Sequence, residues 1–418
     1  MHNIQPIKIA NSKRDWLYIA LIILSILIIN ISYEYKKFKD FSNDELYITN
    51  GKIIQIYPKK YNDILKIDTG NFTFFTTSTK GIYLKIEDNI NIYINTSKIT
   101  FIKFIQGFYT TSFNIRKLKP SKPSVKQYLL NYINNQHQNK NITSLFNALF
   151  FALPIDKELR DMCSTFGVSH LIAISGFHLG ILSMLIYWLL YFPYSIIQNK
   201  YFPYRNKKFD LLVLTSILLF AYLIFVNIVP SLLRAFVMFI VGIYFLRTNI
   251  KLISFSTLAL IVILITVFVP KLFFSISLWF SVSGVFYIFL FLKYFHNRHK
   301  VIVFILFNIW IYLSMNPIIH FFFGTTSLAQ LYSPLFTVGF TIFYPVELFL
   351  HLVGYGNILD YFIEKWLDLE IISYHVSTPI FILIGYIVVS FLSIIYKQAF
   401  ILLNIFLLSF NIWLYMHQ

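Results

Sequence analysis

Ten stretches of predominantly apolar residues divide this chain, near 16–32, 168–192, 210–229, 231–247, 252–269, 272–294, 301–319, 326–350, 371–396 and 398–416. At about 20 residues each, they match the length a helix needs to cross the hydrocarbon of a bilayer. In that solvent every backbone N–H and C=O has to be satisfied within the span, so such runs become helices. Composition agrees: 57% hydrophobic against 13% charged residues leaves too little polar surface for a soluble domain. The expected fold is a polytopic α-helical membrane protein of about ten transmembrane helices.

Charge then orients the helices. The balance of 35 Lys+Arg against 18 Asp+Glu, a net +17, suits positive-inside loops or a polyanionic partner. The basic residues fall at every second connection: Lys200, Arg205, Lys207 and Lys208; Arg247 and Lys251; Lys293, Arg298 and Lys300. The alternate connections near Pro230 and Pro270 are nearly uncharged, which places the basic loops and the N-terminus in the cytoplasm. Residues 1–33 then form a cytoplasmic tail and an anchor helix, since no small-residue cleavage site follows the first apolar run. The loop 351–370, with Asp360, Glu364, Asp368 and Glu370, breaks the basic pattern. Cys163, the sole cysteine, excludes an intramolecular disulfide.

The segment from 34 to about 165 is expected outside. Within 40–119, five or so short β-rich runs with turn punctuation fit a small all-β barrel of OB type, with Asp68-Thr69-Gly70-Asn71 as a hairpin signal. Lys52, Lys59, Lys60, Lys66, Lys80 and Lys85 alternate there with Tyr57, Tyr61, Phe72, Phe74 and Phe75. One reading makes half the rings core and the lysines solubilising. The other makes Lys52, Tyr57, Lys59, Lys60, Tyr61, Phe74, Lys80 and Lys85 a cationic groove with stacking rings, as single strands require. Residues 124–166 read as amphipathic helices on the membrane surface.

The most unusual span begins "HLIAISGFHLG", residues 170–180. On a continuous helix, Ser169, Ala173, Gly176, Gly180 and Ser183 share one narrow seam, and Gly176-x-x-x-Gly180 would let another backbone approach closely. His170 and His178 fall off that seam, and Ser175 is placed to bond the carbonyl of Leu171. Polar and ionisable groups within spans mark cavities and polar paths. By that rule Asn227, Arg234, Asn308, Asn316, His320, Glu347 and His351 join His170 and His178 as candidate lining residues, with Glu347 and His351 one turn apart. No metal-ligand cluster accompanies them; the nearest pattern is His296-Asn-Arg-His299, without acids. No GxxxxGK[ST] occurs either, so neither metal, nucleotide nor other cofactor is expected.

"GVSHLIAISGFHLGIL" closely resembles the signature helix of the ComEC-type competence proteins. "PSLLRAFVMFIVGIYFL", with Ser231, Arg234 and Ala235, resembles that family's next hallmark, and "ALFFALPIDKELRDMCSTFG" its approach segment. The resemblance implies a channel domain over 167–418 in a bacterial inner membrane, an outer OB-like domain, and passage of single-stranded transforming DNA into the cytoplasm. It implies no enzymatic step. It also implies a periplasmic or surface DNA receptor, a cytoplasmic motor, and a pore made by one chain or by a homodimer. The chain carries one span before the β-rich segment, where many relatives have more. It also lacks the HxHxDH of a metallo-β-lactamase-like domain, so a separate nuclease is expected to degrade the other strand. Arg234 reads either as a snorkelling headgroup anchor or as a phosphate contact at the outer mouth. Two alternatives compete: a small-molecule transporter with an outer β-domain, and an intramembrane serine hydrolase using Ser175. The latter lacks both G-x-S-x-G and an orienting acid.

Overall fold

A computed structural model describes residues 13–79, 84–118, 124–248, 254–295 and 299–416. Lys80, Lys251, His296 and Arg298 lie outside the described residues. The chain divides into two compact units, one of residues 1–156, 186–252 and 259–278, the other of 157–185, 253–258 and 279–418.

The first unit opens on helix α1 (Lys13–Ser42). The apolar run near 16–32 supplies its membrane stretch, but the helix continues through "YEYKKFKD" and delivers Phe41 into the core of the β-domain. That domain comprises β1 (Leu46–Pro58), β2 (Asn62–Asp68), β3 (Thr73–Thr79), β4 (Asn89–Asn95), helix α2 (Phe101–Gln106), β5 (Phe108–Tyr109) and β6 (Ser112–Lys117). The strand order is β5-β3-β2-β1-β4-β6. β5 pairs parallel with β3 at one edge and β6 antiparallel with β4 at the other. Only Thr110 and Thr111 separate those strands, so the segment 108–117 draws the two edges together. Thr110 N donates to Phe75 O at 3.0 Å, and Thr76 Oγ1 bonds Ser112 Oγ at 2.6 Å across the closure. Alternation fills the interior with Ile53, Leu65, Ile67, Phe74, Ile90, Ile92 and Ile94, all at or near zero exposure. Phe41, Phe72, Phe104 and Phe108 complete this core as mutually tilted and stacked rings.

Helices α3 (Val125–Asn134), α4 (Lys140–Phe151), α8 (Lys207–Phe225), α9 (Pro230–Thr248) and α10 (Phe255–Phe268) follow in chain order, with α5 to α7 described below. Ser124 and Gln127 close a reciprocal capping box at the start of α3. α4 buries Ile142, Leu145, Phe146, Leu149, Phe150 and Phe151, so most of its surface packs on protein. A short 3₁₀ turn, Pro270–Phe274, follows α10 and packs on α1 and α2.

The second unit contains α5 (Lys157–Thr165), α6 (Ser169–Ile172), α11 (Ile276–Phe295), α12 (Lys300–Phe322), α13 (Ser333–Val353), α14 (Asp360–Leu367), α15 (Ile380–Leu392) and α16 (Lys397–Met416). A two-residue ribbon pairs β7 (Thr325–Thr326) with β8 (Tyr374–His375). Its apolar core is aromatic, built from Tyr287, Phe291, Trp310, Tyr386 and Phe400, with Leu403 and Leu407. Helix α7 (Gly176–Tyr201) links the chain segments of the two units.

Among the described residues, seven helices are long and apolar enough to cross a membrane: within Leu17–Ser42, Gly176–Tyr201, Lys207–Phe225, Ile276–Phe295, Lys300–Phe322, Leu328–Val353 and Lys397–Met416. Three shorter apolar helices, Pro230–Tyr244, Phe255–Phe268 and Ile380–Leu392, occupy the remaining expected stretches.

Candidate functional site

The stretch 167–180 does not form the continuous helix that the seam required. α6 ends at Ile172, and Ala173 turns extended at φ −69° and ψ 122°. α7 begins only at Gly176. Ser175 sits at its N-cap: Phe177 N donates to Ser175 Oγ at 3.3 Å, while Ser175 N donates to His178 Nδ1 at 3.3 Å. This is a variant of the capping box: the Ser175 hydroxyl caps N2 instead of N3, and the N3 histidine reaches back where Glu or Gln usually does. It corrects two expectations. Ser175 does not bond Leu171, and Ser169 and Ala173 share no face with Gly176, because the helical phase is lost at the break. Gly180 is exposed, and a Cβ added there meets nothing within 4 Å, so among the described residues no neighbouring element packs closely on it.

The cap also fixes the imidazole. With Nδ1 accepting from Ser175 N–H, the ring proton belongs on Nε2, a placement inferred from the hydrogen bonds. His178 is fully buried and Nε2 has no hydrogen-bond partner. Its ring meets Phe340 and Tyr344 edge-on, centroids 5.3 and 4.8 Å away. Those two rings begin the inward stripe of α13, which continues through Glu347 and His351 at 4-3-4 spacing, all buried. His351 Nδ1 lies 2.7 Å from the backbone oxygen of Glu347 and 3.2 Å from its Oε2.

The approach to the break is held by polar side chains at, and in the turn just before, the start of α13. The last carbonyls of α5 lack helical partners and need donors. Gln330 Nε2 supplies one to Ser164 O at 3.0 Å, Ser327 Oγ one to Thr165 O at 2.5 Å, and Ser333 Oγ one to Gly167 O at 2.9 Å. His170 keeps open surface, its Nδ1 3.1 Å from Gly167 O and its Nε2 3.2 Å from Thr337 Oγ1. The second unit thus sets His170 against Thr337 and His178 against Phe340 and Tyr344 of α13, with Glu347 and His351 buried further along that helix.

Asn316 and His320 go elsewhere. Asn316 Nδ2 donates to Asn411 Oδ1 at 2.6 Å, tying α12 to α16, and His320 Nδ1 lies 3.0 Å from Asn316 O with Nε2 buried and unpartnered. Asn308 is half-buried and donates back to Phe304 O at 2.9 Å, within its own helix. Thr337, Phe340, Tyr344, Gln330 and Asn411 are the members that sequence reading passed over. The 4-3-4 spacing of 340, 344, 347 and 351 carried a signal, but one diluted among 46 phenylalanines.

In the first unit, Ser231 and Arg234 lie in the first turns of α9, which starts at Pro230 as a helix start favours. Arg234 is 4% exposed, with Nη1 2.8 Å from Met238 Sδ; burial in protein replaces the snorkelling expectation. Asn227 has φ 62° and Ile228 φ 49°, forming the left-handed turn between α8 and α9. Asn227 is thus an exposed turn residue, as asparagine's tolerance of that conformation allows. In the β-domain, Phe74 is fully buried, which removes its ring from the expected groove. Lys52 pairs with Glu87, whereas Lys59, Lys60, Tyr61 and Lys85 are exposed and Tyr57 is half-buried. Among the described residues no three His, Cys, Asp or Glu side chains are grouped to hold a metal ion.

The model of one protein family, described as "Competence protein", matches residues 153–399, more than half of the chain. No curated protein and no solved structure matches it.

Proposed function

From a chain that belongs to the competence protein family, whose role is DNA uptake, we propose an inner-membrane channel that passes single-stranded transforming DNA into the cytoplasm. The observation that carries this reading is the break at Ala173–Ser175. Non-helical backbone at membrane depth is tolerated only when buried in protein or lining a wet cavity. Here it lies within an apolar segment of the family-matched region, flanked by His170 and His178. Each phosphate of a strand carries a full charge, so the strand needs a protein-lined polar path. The helix N-terminus at Gly176 presents the positive end of a dipole, the polarity that broken membrane helices offer to anionic cargo.

In this reading the six-stranded domain is of OB type. Its parallel β3–β5 pairing and its return of residues 108–117 to β4 support that class. It holds the strand outside the membrane. A DNA receptor delivers the substrate, a separate nuclease removes the other strand, and a cytoplasmic motor pulls. One chain or a homodimer encloses the path. The channel performs no covalent chemistry: Ser175 Oγ serves as a helix cap, and His178 meets it through Nδ1 with no acid behind it.

Deleting the gene, then measuring labelled DNA separately in the outer compartment and in the cytoplasm, tests the proposal. The expected result is normal arrival outside and none inside. Undiminished cytoplasmic arrival would falsify it.

A further inference from the structure

Between Ile53 and Gln55, β1 holds one residue more than its partner: Ile53 pairs with Ile67, yet Gln55 already pairs with Lys66. Such a bulge reverses the inward–outward alternation beyond it. Gly51 and Ile53 point inward before the bulge, and Ile56 packs on the core after it. Gln55 and Tyr57 consequently stand on the outer face. Without the extra residue both would enter the core.

The register continues that face across the sheet, from Gln55 to Lys66 on β2, to Phe75 on β3, and to Tyr109 on β5. Lys66 Nζ lies 5.8 Å from the Phe75 ring centroid, and the Tyr57 and Phe75 rings are 6.4 Å apart. Tyr57 OH donates to Gln55 Oε1 at 2.5 Å, and the Tyr109 hydroxyl bonds Thr77 Oγ1. Gln55, Tyr57, Lys66 and Phe75 are half-buried, while Tyr109 is 58% exposed. Half-burial is expected of groove walls. Gln55 Nε2 donates to Ala152 O at 3.5 Å, so the end of α4 borders the same face.

Building on the strand-passing reading above, we propose that Tyr57, Lys66, Phe75 and Tyr109 form a stacking platform for unpaired bases, with Lys66 meeting the phosphates. The hairpin tip at Lys59–Tyr61 is then not the main contact. Aromatic rings offer faces to any base, and a cation among them tracks the backbone. Burial lowers the Lys66 ammonium's affinity for its proton, and the nearby Lys271 lowers it further. A cation desolvated on a half-buried face is stabilised by an anion. The tip residues, by contrast, stand on open surface, Tyr61 at 76% exposure, where no second wall confines a base.

The full chain in zwitterionic nanodiscs, titrated with fluorescent oligothymidine, tests this. Phe75→Ala with Tyr109→Ala is expected to weaken binding at least about tenfold, in line with the loss per stacked base. Lys66→Gln should weaken it and flatten its salt dependence. Lys60→Gln with Tyr61→Ala should change little. Tyr109→Phe, which keeps the ring and loses the bond to Thr77, should bind like wild type, with melting curves establishing that each variant folds. If the platform variants bind like wild type while the tip variants fail, the strand lies on the hairpin and this inference is overturned, the channel reading standing. If Tyr109→Phe fails as badly as alanine, stacking is not the cause and the inference falls. Wild type that binds no oligothymidine also overturns it, and the deletion assay then judges the channel reading by itself.

Discussion

Ser175 illustrates how much one small side chain does at the scale of residues. Its oxygen accepts from Phe177 N, and its own N–H is taken by His178 Nδ1, so α7 starts with two otherwise orphaned donors satisfied. Ser175→Ala is expected to cost about 1 kcal/mol of stability, the usual worth of such a cap. Ser175→Asp should restore most of it, because aspartate caps equally well. Thermal unfolding of the purified variants measures both. Should the aspartate variant melt with the alanine variant, the hydroxyl is not acting as a cap. The clue was present in the sequence as Ser-x-x-His ahead of an apolar run. It was missed because histidine is an uncommon fourth member of that box and because the flanking residues read as helix.

At the scale of elements, phase governs which residues share a face. Helical phase carried through 169–183 assigns Gly180 to a seam with Ala173, and the extended Ala173 destroys that relation. With open space where a Cβ would stand, Gly180→Leu is expected to leave folded protein in the membrane at or above wild-type abundance. Leucine is the better helix former, since glycine lies about 0.8–1 kcal/mol below alanine and leucine ranks close behind alanine. Immunoblotting of membranes with a melting measurement checks it. A collapse in abundance would mean that another copy packs against this glycine. β1 teaches the same lesson with period two. One extra residue near Ile54 moves Gln55 and Tyr57 from core to surface, and no residue type there announces a bulge.

At the scale of the whole molecule, the single thiol offers a probe of unfolding. Cys163 lies fully buried on α5, and burial pushes its thiol up to about 12. Alkylation needs the thiolate. From neutral to mildly alkaline pH, maleimide labelling of the native protein should therefore stay far slower than that of free cysteine, whereas denaturant should make labelling rapid and complete. Native protein that labels at the rate of free cysteine would contradict this placement. The helical membrane class was legible in the sequence, because span length and composition answer to the bilayer as solvent and need no partner. The strands of the β-domain were legible too, since alternation is local. So were the two hallmark stretches at 167–182 and 230–246. Tertiary structure alone decided that Phe74 is core while Phe75 is surface, that Arg234 is buried, and that Phe340 and Tyr344 enclose His178. Those outcomes depend on register, phase breaks and neighbours more than a hundred residues away in sequence. Local periodicity carries none of that information, because a bulge or a three-residue break resets it without changing composition.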